Sequence, residues 1–282
     1  MNAHRIANIS AAISYIEAHL CEKLDLETVA SAVSYSKYHL HRMFTATAGL
    51  PLHAYIRRRR LTEAARLLVC TGKPLLEVAL DAGFESQQAF AVLFKAMYKQ
   101  TPLAYRKMQL FYPLQLPFAP DPGPSGSPKS WHPAYAAPPD LPDWMHFTAL
   151  VIGGFPRLDA SAHRAQAIRR IAAQEALIVQ DNGLLIGAAA FSRPTGHIEF
   201  LAVHPQYQHS GVAESLLNAL RRSHFPGRPL TVTTFRRNDK ADTGQRAAYQ
   251  RLGFTPADLL TEYGYPTQRL ILPPEQEAHR HG

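Results

Sequence analysis

Residues Ser36-Lys-Tyr-His-Leu-His-Arg-Met-Phe44 place three apolar side chains, Leu40, Met43 and Phe44, at spacings of three and one. This spacing predicts a helix that buries one face in a core, and Ser36 is a suitable N-cap for it. Four polar side chains are left on the outward face: Lys37, Tyr38, His41 and Arg42. A helix that recognises DNA needs this arrangement, because one side stays in the core while the other enters the major groove.

Helices are predicted on both sides of this stretch, and a second helix pair repeats its design. The predicted helices cover residues 6–20, 26–33, 36–47, 51–70, 75–82 and 85–98, and a last one begins near Pro102. Asp25 is the expected N-cap of the helix over 26–33. In the second pair Phe90 and Phe94 turn inwards, and the side chains left outside are Gln87, Gln88, Ala91, Val92 and Lys95. Gln can bind adenine, and Arg guanine, through two hydrogen bonds; the alternative is that these side chains contact only phosphate or solvent.

Four consecutive arginines, residues 57–60, lie in the long central helix. Because four successive residues cover every direction around a helix, they cannot all contact one partner. Two outcomes stay open. One or two of these arginines contact phosphate while the rest are solvated or paired with acids such as Glu63, or none of them contacts phosphate.

Several segments of this region resemble the DNA-binding module of the AraC/XylS family. They are Ser36–Phe44, Tyr55-Ile-Arg57, Leu61-Thr-Glu-Ala64, Gly83-Phe-Glu-Ser-Gln-Gln-Ala-Phe90, Phe94-Lys95 and Thr101-Pro102 with Tyr105-Arg106. The resemblance covers about residues 6–108 and is closest to the small multidrug- and stress-response activators, which bind DNA as monomers through two successive major-groove segments. It implies base recognition by Tyr38, His41, Arg42, Gln87 and Gln88. Those activators typically carry an arginine where this chain has Val92, so the second helix is expected to contact fewer bases.

Charge supports nucleic acid as the partner of the N-terminal part. The formal net charge is +8, and residues 1–107 hold fourteen basic against eight acidic side chains, while the remainder is nearly balanced. Cys21 and Cys70 are too few for a disulfide framework, and each is expected to be a small buried apolar side chain in a reducing compartment. The chain shows no signal-peptide pattern and no stretch of about 18 apolar residues, so we expect a cytoplasmic protein without membrane contact.

The composition changes after the helical region. Ten of the 30 residues from Pro113 to Pro142 are proline, which predicts an extended linker, and Trp131, Tyr135 and Trp144 are expected to dock on one domain rather than to bind a ligand. Alternating elements follow. They are a helix over 160–174, a hairpin of strands 176–179 and 184–191 around Asp181-Asn-Gly183, strands 197–203 and 230–235, helices 211–222 and 242–252, and a closing strand 268–272.

A second motif is His197-Ile-Glu-Phe-Leu-Ala-Val-His-Pro205 followed by Gln208-His-Ser-Gly-Val-Ala213. A strand here leads into a turn and directly into a helix, whose first amides can hold a pyrophosphate, and Gly211 permits close approach. Alone this pattern is weak, since such a glycine often serves only a turn. It gains specificity from Ala248-Tyr-Gln-Arg-Leu-Gly-Phe254, which follows after one further strand.

Together these motifs resemble the GNAT superfamily of acetyltransferases over about residues 147–272. The resemblance implies acetyl-CoA as cosubstrate or ligand. The backbone of Leu201, Ala202 and Val203 would hold pantetheine and the thioester carbonyl, and the pyrophosphate would lie on Gln208, His209, Ser210, Gly211, Val212 and Ala213. Tyr249 matches the tyrosine that protonates the departing thiolate. Its alternative is a packed helix aromatic.

The acceptor side is less marked. Glu199 and His197 lie on one face of the same strand, and either could deprotonate an amine directly or through water, although a solvated polar strand residue is the alternative for each. Asp242 stands where the superfamily often has Asn. The scattered histidines lack the usual metal-ligand spacings, so no metal is expected.

The predicted fold is multidomain. It consists of an all-α double helix-turn-helix domain over residues 1–109, a Pro-rich linker over 110–146, an α/β GNAT domain with a mixed sheet over 147–273, and a tail over 274–282. The predicted function is a sequence-specific transcription regulator whose C-terminal domain acetylates an unknown amine. The alternative is a regulator whose GNAT domain is a non-catalytic sensor of acetyl-CoA or a small molecule. Double-stranded DNA and acetyl-CoA are the expected partners, together with a small-molecule or protein amine, and RNA polymerase is a plausible further one.

Overall fold

Helix caps set the boundaries of the N-terminal helices. The computed structural model describes residues 3–109, 111, 113–118, 120, 130–151, 160–208, 210–262 and 264–274. Up to residue 109 the described chain forms α1 (Ala3–Ala18), α2 (Leu26–Ala32), α3 (Lys37–Ala48), α4 (Leu52–Cys70), α5 (Leu75–Asp81), α6 (Gln87–Tyr98) and α7 (Pro102–Met108). The side chains of Asp25, Ser36, Ser86 and Thr101 each accept a hydrogen bond from the backbone N–H three residues later. The predicted caps at Asp25 and Ser36 are therefore confirmed.

The helices form two similar halves joined by α4. The helices α3 and α6 are both twelve residues long and begin 50 positions apart, and both end at a residue with a left-handed backbone, Gly49 at φ 74° and Lys99 at φ 62°. The preceding helices α2 and α5 are both seven residues long. Core side chains repeat with the same offset, since Phe44 and Phe94 are both fully buried. Each pair is thus a helix-turn-helix packed on the same connecting helix.

The second half is held together by aromatic rings. The ring of Phe94 lies 5.3 Å from Phe90, 4.3 Å from Tyr98 and 5.3 Å from Tyr105, measured between ring centroids. Edge-to-face and offset pairs at such distances are favourable beyond the area that they bury. The last helix, α7, therefore closes the core behind α6 and fixes the orientation of its outward face.

Arg59 on α4 is a buried cation that ties three segments together. Only 4% of the residue is exposed, and its guanidinium forms ion pairs with Glu17 of α1 at 2.8 Å and with Glu63 at 3.1 Å. It also donates to the carbonyl of Gln115 at 3.0 Å. The hydroxyl of Tyr55 donates to the same Glu17 carboxylate at 2.8 Å. Burial, followed by the negative charge of Glu17, raises the pKa of Tyr55, so this phenol stays protonated.

The other arginines of this run divide between structure and surface. Arg58 is 2% exposed and donates to the carbonyl of Leu114 at 2.7 Å. Arg60 donates to the carbonyl of Leu20 at 2.8 Å, just after the end of α1. Arg57 is the exposed member of the run. Three of the four side chains therefore hold neighbouring segments against α4, and Arg57 is left to contact a partner.

The later part of the chain forms a seven-stranded mixed sheet. Its strands are β1 (Ala134–Tyr135), β2 (Ala176–Asp181), β3 (Leu184–Ser192), β4 (His197–Val203), β5 (Leu230–Phe235), β6 (Thr255–Glu262) and β7 (Tyr265–Leu272). They are ordered β1-β2-β3-β4-β5-β7-β6, and the β4–β5 pair is parallel while the other neighbours are antiparallel. The helices along this part are α8 (Leu141–Val151), α9 (Ala160–Ala172), α10 (Val212–Ala219) and α11 (Gln245–Arg251). This architecture is the all-α plus mixed-sheet fold that the sequence predicts.

Several local predictions hold and others are wrong. The hairpin turn is confirmed, since Asn182 and Gly183 both have positive φ, 51° and 82°, as a tight two-residue turn requires. The strand β6 is missing from the prediction. The helix over 242–252 begins only at Gln245, after a turn in which the Asp242 side chain accepts a hydrogen bond from the backbone N–H of Gln245. In place of an entirely extended linker, the sheet already includes Ala134 and Tyr135.

The predicted burial of the two cysteines is wrong. Cys21 and Cys70 are both exposed free thiols. Cys21 follows the end of α1 in a turn and Cys70 is the last residue of α4, so neither lies on the buried stripe of its helix. Within the described ranges, no helix is both long and apolar enough to cross a bilayer.

The three aromatic residues near the end of the linker pack as expected. Trp131 donates its ring N–H to the carbonyl of Ser210 at 2.6 Å, and the ring of Tyr135 lies 5.6 Å from that of His224. Trp144 is buried, 5.7 Å from the ring of Phe200 on β4. Residues 121–129 of the predicted linker and residues 275–282 of the predicted tail lie outside the described residues. The exact domain boundaries stay a prediction.

Replacing Arg59 with Ala is expected to destabilise the N-terminal helices by about 3 kcal/mol, because it leaves the partly buried Glu17 carboxylate without its cation. Urea unfolding of the full chain measures this, with helix content followed by circular dichroism. Both tryptophans lie after residue 130, so tryptophan fluorescence reports the later part of the chain and should keep its midpoint. Arg57→Ala removes the same charge from the surface and should change stability by no more than about 0.5 kcal/mol. Equal effects of the two variants would contradict the structural role of Arg59.

Candidate functional sites

The outward face of α3 carries the predicted base-contacting side chains. Lys37, Tyr38, His41 and Arg42 are all exposed, and 74% of Tyr38 is accessible. Lys37 forms an ion pair with Glu27 of α2 at 3.2 Å and lies 5.6 Å from the centre of the Tyr38 ring. Tyr38 and Arg42 are one helical turn apart, so the two side chains project in the same direction. This face presents a phenol and a guanidinium to whatever lies against it.

The outward face of α6 is chemically different. Gln87, Gln88 and Lys95 are exposed as predicted, and 72% of Val92 is accessible. Val92 lies one turn after Gln88, so an apolar side chain occupies the middle of this face. The structure therefore brings each predicted DNA-contacting residue to the exposed face of its own helix.

A cleft separates the two halves of the helical region. It has a volume of about 230 Å³ and is lined by Leu24, Asp25, Leu26, Leu52, His53, Ile56, Arg57, Arg60, Phe84 and Leu93. Its apolar floor comes from both halves and from α4. Two guanidinium groups line it, and that of Arg57 is exposed. A positive charge between the two halves is suited to a phosphate backbone that passes from one half to the other.

In the later part of the chain, strands β4 and β5 are paired over a short stretch and then diverge. They are paired only through His197 with Thr231 and Ile198 with Val232. Beyond Ile198 the other edge of β4 continues to pair with β3 as far as Val203. Successive strand residues point their backbone groups to opposite edges, and the N–H of His204 donates to Ile186 on β3. The backbone groups of Leu201 and Val203 therefore face the β5 side without a paired strand, while those of Ala202 face β3. All three residues belong to the predicted main-chain binding surface.

The turn after β4 brings a helix N-terminus to the same place. Gly211 has φ 83° and precedes α10, and among the described residues no side chain caps this helix. The first amides of α10, on Val212 and Ala213, are thus suited to an anion. Gln208 and Ser210 are exposed in the turn, and His209, the remaining predicted contact, lies outside the described residues.

Gly187 on β3 allows α10 to approach the sheet. A Cβ atom added to Gly187 would lie 2.3 Å from Cγ1 of Val212 and 3.3 Å from Cδ1 of Leu216. Any larger residue would therefore displace the helix whose N-terminus faces the parted strands. Sequence reasoning missed Gly187, because a glycine within a run of apolar strand residues carries no local signal of a helix crossing above it.

Tyr249 is a buried phenol on α11. It is 6% exposed, and its hydroxyl accepts a hydrogen bond from Nε2 of Gln245 at 3.3 Å. Its ring packs edge-on against Phe254 at 5.6 Å. Burial raises the pKa of Tyr249 to about 12, so the hydroxyl keeps its proton throughout the neutral range. Tyr249 therefore packs as a core aromatic does, and its hydroxyl is protonated at neutral pH.

Asp242 has a structural role at the start of α11. One carboxylate oxygen, Oδ1, accepts hydrogen bonds from the backbone N–H of Gly244 at 3.0 Å and of Gln245 at 2.9 Å. An asparagine side-chain oxygen can accept the same bonds. The departure from the expected Asn therefore keeps an oxygen acceptor for the turn that precedes α11.

Glu199 is held by α9. It accepts hydrogen bonds from Nε2 of Gln166 at 2.7 Å and from Nε of Arg170 at 2.9 Å, and it forms an ion pair with Arg170. The same arginine also forms an ion pair with Glu175. Gln166 and Arg170 are one turn apart on the helix, a spacing visible in the sequence, but nothing in the sequence shows that they face β4.

His197 lies close to Glu199 and has a different environment. Its Nδ1 is hydrogen-bonded to Oγ1 of Thr231 at 3.1 Å. Burial lowers the pKa of His197 below its ordinary value, and the imidazole is therefore neutral at pH 7. The described residues contain no cluster of three or more ligands that could hold a metal ion.

Comparison with known proteins agrees with both parts of this geometry. A helix-turn-helix domain model matches residues 29–108, and a model of the GNAT acetyltransferase domain matches residues 172–256. The regulatory protein SoxS of Escherichia coli K12 is 39% identical over 94 residues, which are 33% of this chain and 88% of SoxS. The chain belongs to the AraC-type family of helix-turn-helix proteins. Its AraC-type region is joined to a GNAT domain.

The AraC-type similarity is confined to one third of the chain. Transcriptional regulator Rob of Salmonella typhimurium LT2 is 45% identical over 93 residues, or 33% of this chain, and the chain spans about a third of the length of Rob (32%). On the GNAT side, the crystal structure of a GNAT-family acetyltransferase from Bacillus cereus ATCC 10987 is 17% identical, with a TM-score of 0.42. That match covers 52% of this chain and 100% of the other.

Gly187→Ala is expected to destabilise the later part of the chain by about 1–3 kcal/mol, because the added methyl group overlaps Val212 and forces α10 away from the sheet. The midpoint of urea unfolding, followed by the fluorescence of Trp131 and Trp144, measures this change. Gly72→Ala is the control, since a Cβ there meets nothing within 4 Å. An unchanged midpoint for Gly187→Ala would show that α10 does not depend on this close approach.

Proposed function

We propose that this protein is a sequence-specific transcription regulator whose GNAT domain binds acetyl-CoA and transfers the acetyl group to an amine. The acetyl-CoA part of this proposal rests on the divergence of β4 and β5 beside the N-terminus of α10. The DNA-binding part is supported by two matching helices whose outward polar side chains are exposed. RNA polymerase is the proposed protein partner of such a regulator.

For DNA, we assign affinity and specificity to different side chains. Arg57 and Lys95 are exposed cations at the cleft and on α6, and they contact phosphates. Base edges are contacted by exposed side chains of these two helices: Tyr38, His41 and Arg42 on α3, and Gln87 and Gln88 on α6. Because the phosphate contacts release counterions, binding weakens steeply as salt concentration rises.

For acetyl-CoA, the residues present fit the group. The β4 segment of Leu201, Ala202 and Val203 holds the pantetheine arm, since the backbone groups of Leu201 and Val203 face the β5 side without a paired strand. The amides after Gly211 bind the pyrophosphate. When bound, acetyl-CoA supplies an acyl group activated as a thioester. No metal is needed to hold it, because main-chain donors and a helix terminus provide the positive potential.

Proton transfer is assigned to one residue of α11 and to two residues of β4. Tyr249 keeps its proton at neutral pH and is the proposed acid for the leaving thiolate. Glu199 and His197 are the proposed groups on the amine side. Both oxygens of Glu199 accept hydrogen bonds from α9, so Glu199 fixes the positions of Gln166 and Arg170. The neutral imidazole of His197 can accept the proton of the amine.

A second candidate function is a sensor that binds acetyl-CoA without turnover. The ion pair between Glu199 and Arg170 favours it, because it engages the carboxylate that would otherwise serve as a base. In such a sensor, ligand binding would bias the regulator between states of different DNA affinity. Acetylation of an amine by the purified protein separates the two functions.

Tyr249→Phe is expected to lower the turnover number by roughly 10²–10⁴-fold, the range typical of a lost general acid, and to leave acetyl-CoA affinity unchanged. Incubation with acetyl-CoA and a panel of amines, with free thiol as readout, measures turnover, and calorimetry measures affinity. Because the pKa of Tyr249 is about 12, loss of its proton should not lower the wild-type rate at any pH up to 10. Unchanged turnover in the variant would remove Tyr249 from the mechanism, and binding without any acetylated amine would favour the sensor.

Arg42→Ala is expected to weaken binding to a selected duplex by about 1–3 kcal/mol while leaving binding to random duplexes much less affected, because a base contact is lost. Titrations of both duplexes by fluorescence anisotropy at one salt concentration compare the two losses. Arg251→Ala, which removes one exposed positive charge from α11, is the charge-matched control. If Arg42→Ala weakened both duplexes equally, Arg42 would be a phosphate contact.

A further inference from the structure

Val92 has an unusual place on the second recognition helix. Among the described side chains of α6, it is the large apolar one that is exposed, at 72%. It follows Gln88 by one turn and precedes Lys95 by three residues, so polar side chains that are suited to DNA flank it on both sides. A β-branched residue is also a weaker helix former than the alanine or glutamine found nearby. Neither packing within the protein nor helix formation therefore accounts for this valine.

The internal repeat shows what this position does in the other half. With the 50-residue offset between α3 and α6, Val92 corresponds to Arg42, and Gln88 corresponds to Tyr38. The buried partners follow the same offset, since Leu40 matches Phe90. Both positions therefore point away from equivalent cores. One half offers a guanidinium at this position, and the other offers two methyl groups.

The major groove contains one apolar feature that such a side chain can recognise. The C5 methyl group of thymine projects into it, and the other three bases lack an equivalent group. Hydrogen-bonding edges of guanine, cytosine and adenine would lose water against valine without gaining a partner, which disfavours them. The preference thus has both an attractive and a repulsive part.

From these observations we propose that Val92 is a specificity-determining residue that selects a thymine in the second half-site through its C5 methyl group. This inference rests on the proposed DNA binding and deepens it. The sequence alone suggested that a helix with valine in place of arginine contacts fewer bases. The exposure of Val92 indicates instead that α6 exchanges a hydrogen-bonded contact for an apolar one. The two half-sites then differ in chemistry, so the operator is asymmetric.

The test removes single methyl groups from the DNA. Duplexes bound by the full-length protein are first selected from a random pool, and each thymine of the selected site is then replaced by deoxyuridine, which pairs identically but lacks the methyl group. We expect one replacement in the second half-site to weaken binding roughly three- to tenfold, as expected for loss of one buried methyl contact. The other replacements should have little effect.

Variants assign the effect to Val92. In Val92→Ala, the thymine and deoxyuridine duplexes should bind within about twofold of each other at that position, because the variant removes both γ-methyl groups and leaves only the shorter Cβ methyl group. This variant should fold, since the side chain is exposed and alanine favours helix. Leu76→Ala is the matched control. It truncates an exposed apolar side chain on α5, and the deoxyuridine effect should persist.

Two further outcomes would contradict the role of Val92, and a third would contradict the DNA binding on which that role rests. If a specific site is selected but no deoxyuridine replacement weakens binding, the role of Val92 is refuted while DNA recognition stands. The same holds if the loss at that position is equally large in Val92→Ala. If no duplex is preferred over competitor, the proposed regulator function fails, and the thymine contact fails with it.

Discussion

A buried guanidinium holds the helical region together. Arg59 lies in the middle of α4, and its ion pair with Glu17 ties the first helix to the helix that joins both halves. Removing a cation from water is costly unless every hydrogen bond is replaced, and here a carboxylate, a second carboxylate and a carbonyl replace them. Because α3 packs on α4, and α6 packs on α5 and α7, which themselves contact α4, the positions of α3 and α6 depend on this one ion pair.

The proposed acyl-CoA site depends on a different constraint, the early end of the β4–β5 ladder. Backbone groups at a sheet edge seek hydrogen bonds, and a ligand can supply them when a strand does not. The close approach of α10 over Gly187 then adds amides from a helix terminus to the same surface. Little of the site consists of reactive side chains. Its chemistry comes mainly from where the main chain is left unpaired by its neighbouring strand.

Residues with local physical roles were predictable from the sequence, and those with distant roles were not. Asp25 and Ser36 cap helices through bonds to residues three positions away, and the turn at Asn182-Gly183 needs only local backbone geometry. Arg58 and Arg59, by contrast, resemble surface residues in sequence, since their burial depends on segments more than 40 residues away. The outward residues of α3 and α6 were predictable because helical periodicity alone places them.

Similar reasons explain the errors in the later part of the chain. The strand β6 is an edge strand with a proline, a charged Asp258 and mostly exposed side chains, so it lacks the alternation that identifies a half-buried strand. The contact of Glu199 with Arg170 requires knowledge of how α9 lies on the sheet. Family resemblance located the motif around Tyr249, and only coordinates showed that its phenol is enclosed.

The length of α4 has a consequence for the DNA that the protein can accept. This helix has 19 residues and is continuous between the two halves, so it fixes their separation over a length of about 28 Å. Inserting or deleting one residue would turn one half by about 100° relative to the other and destroy their common phase on the double helix. In the proposed complex, the spacing between the two contacted DNA segments is therefore set by a whole number of residues in α4.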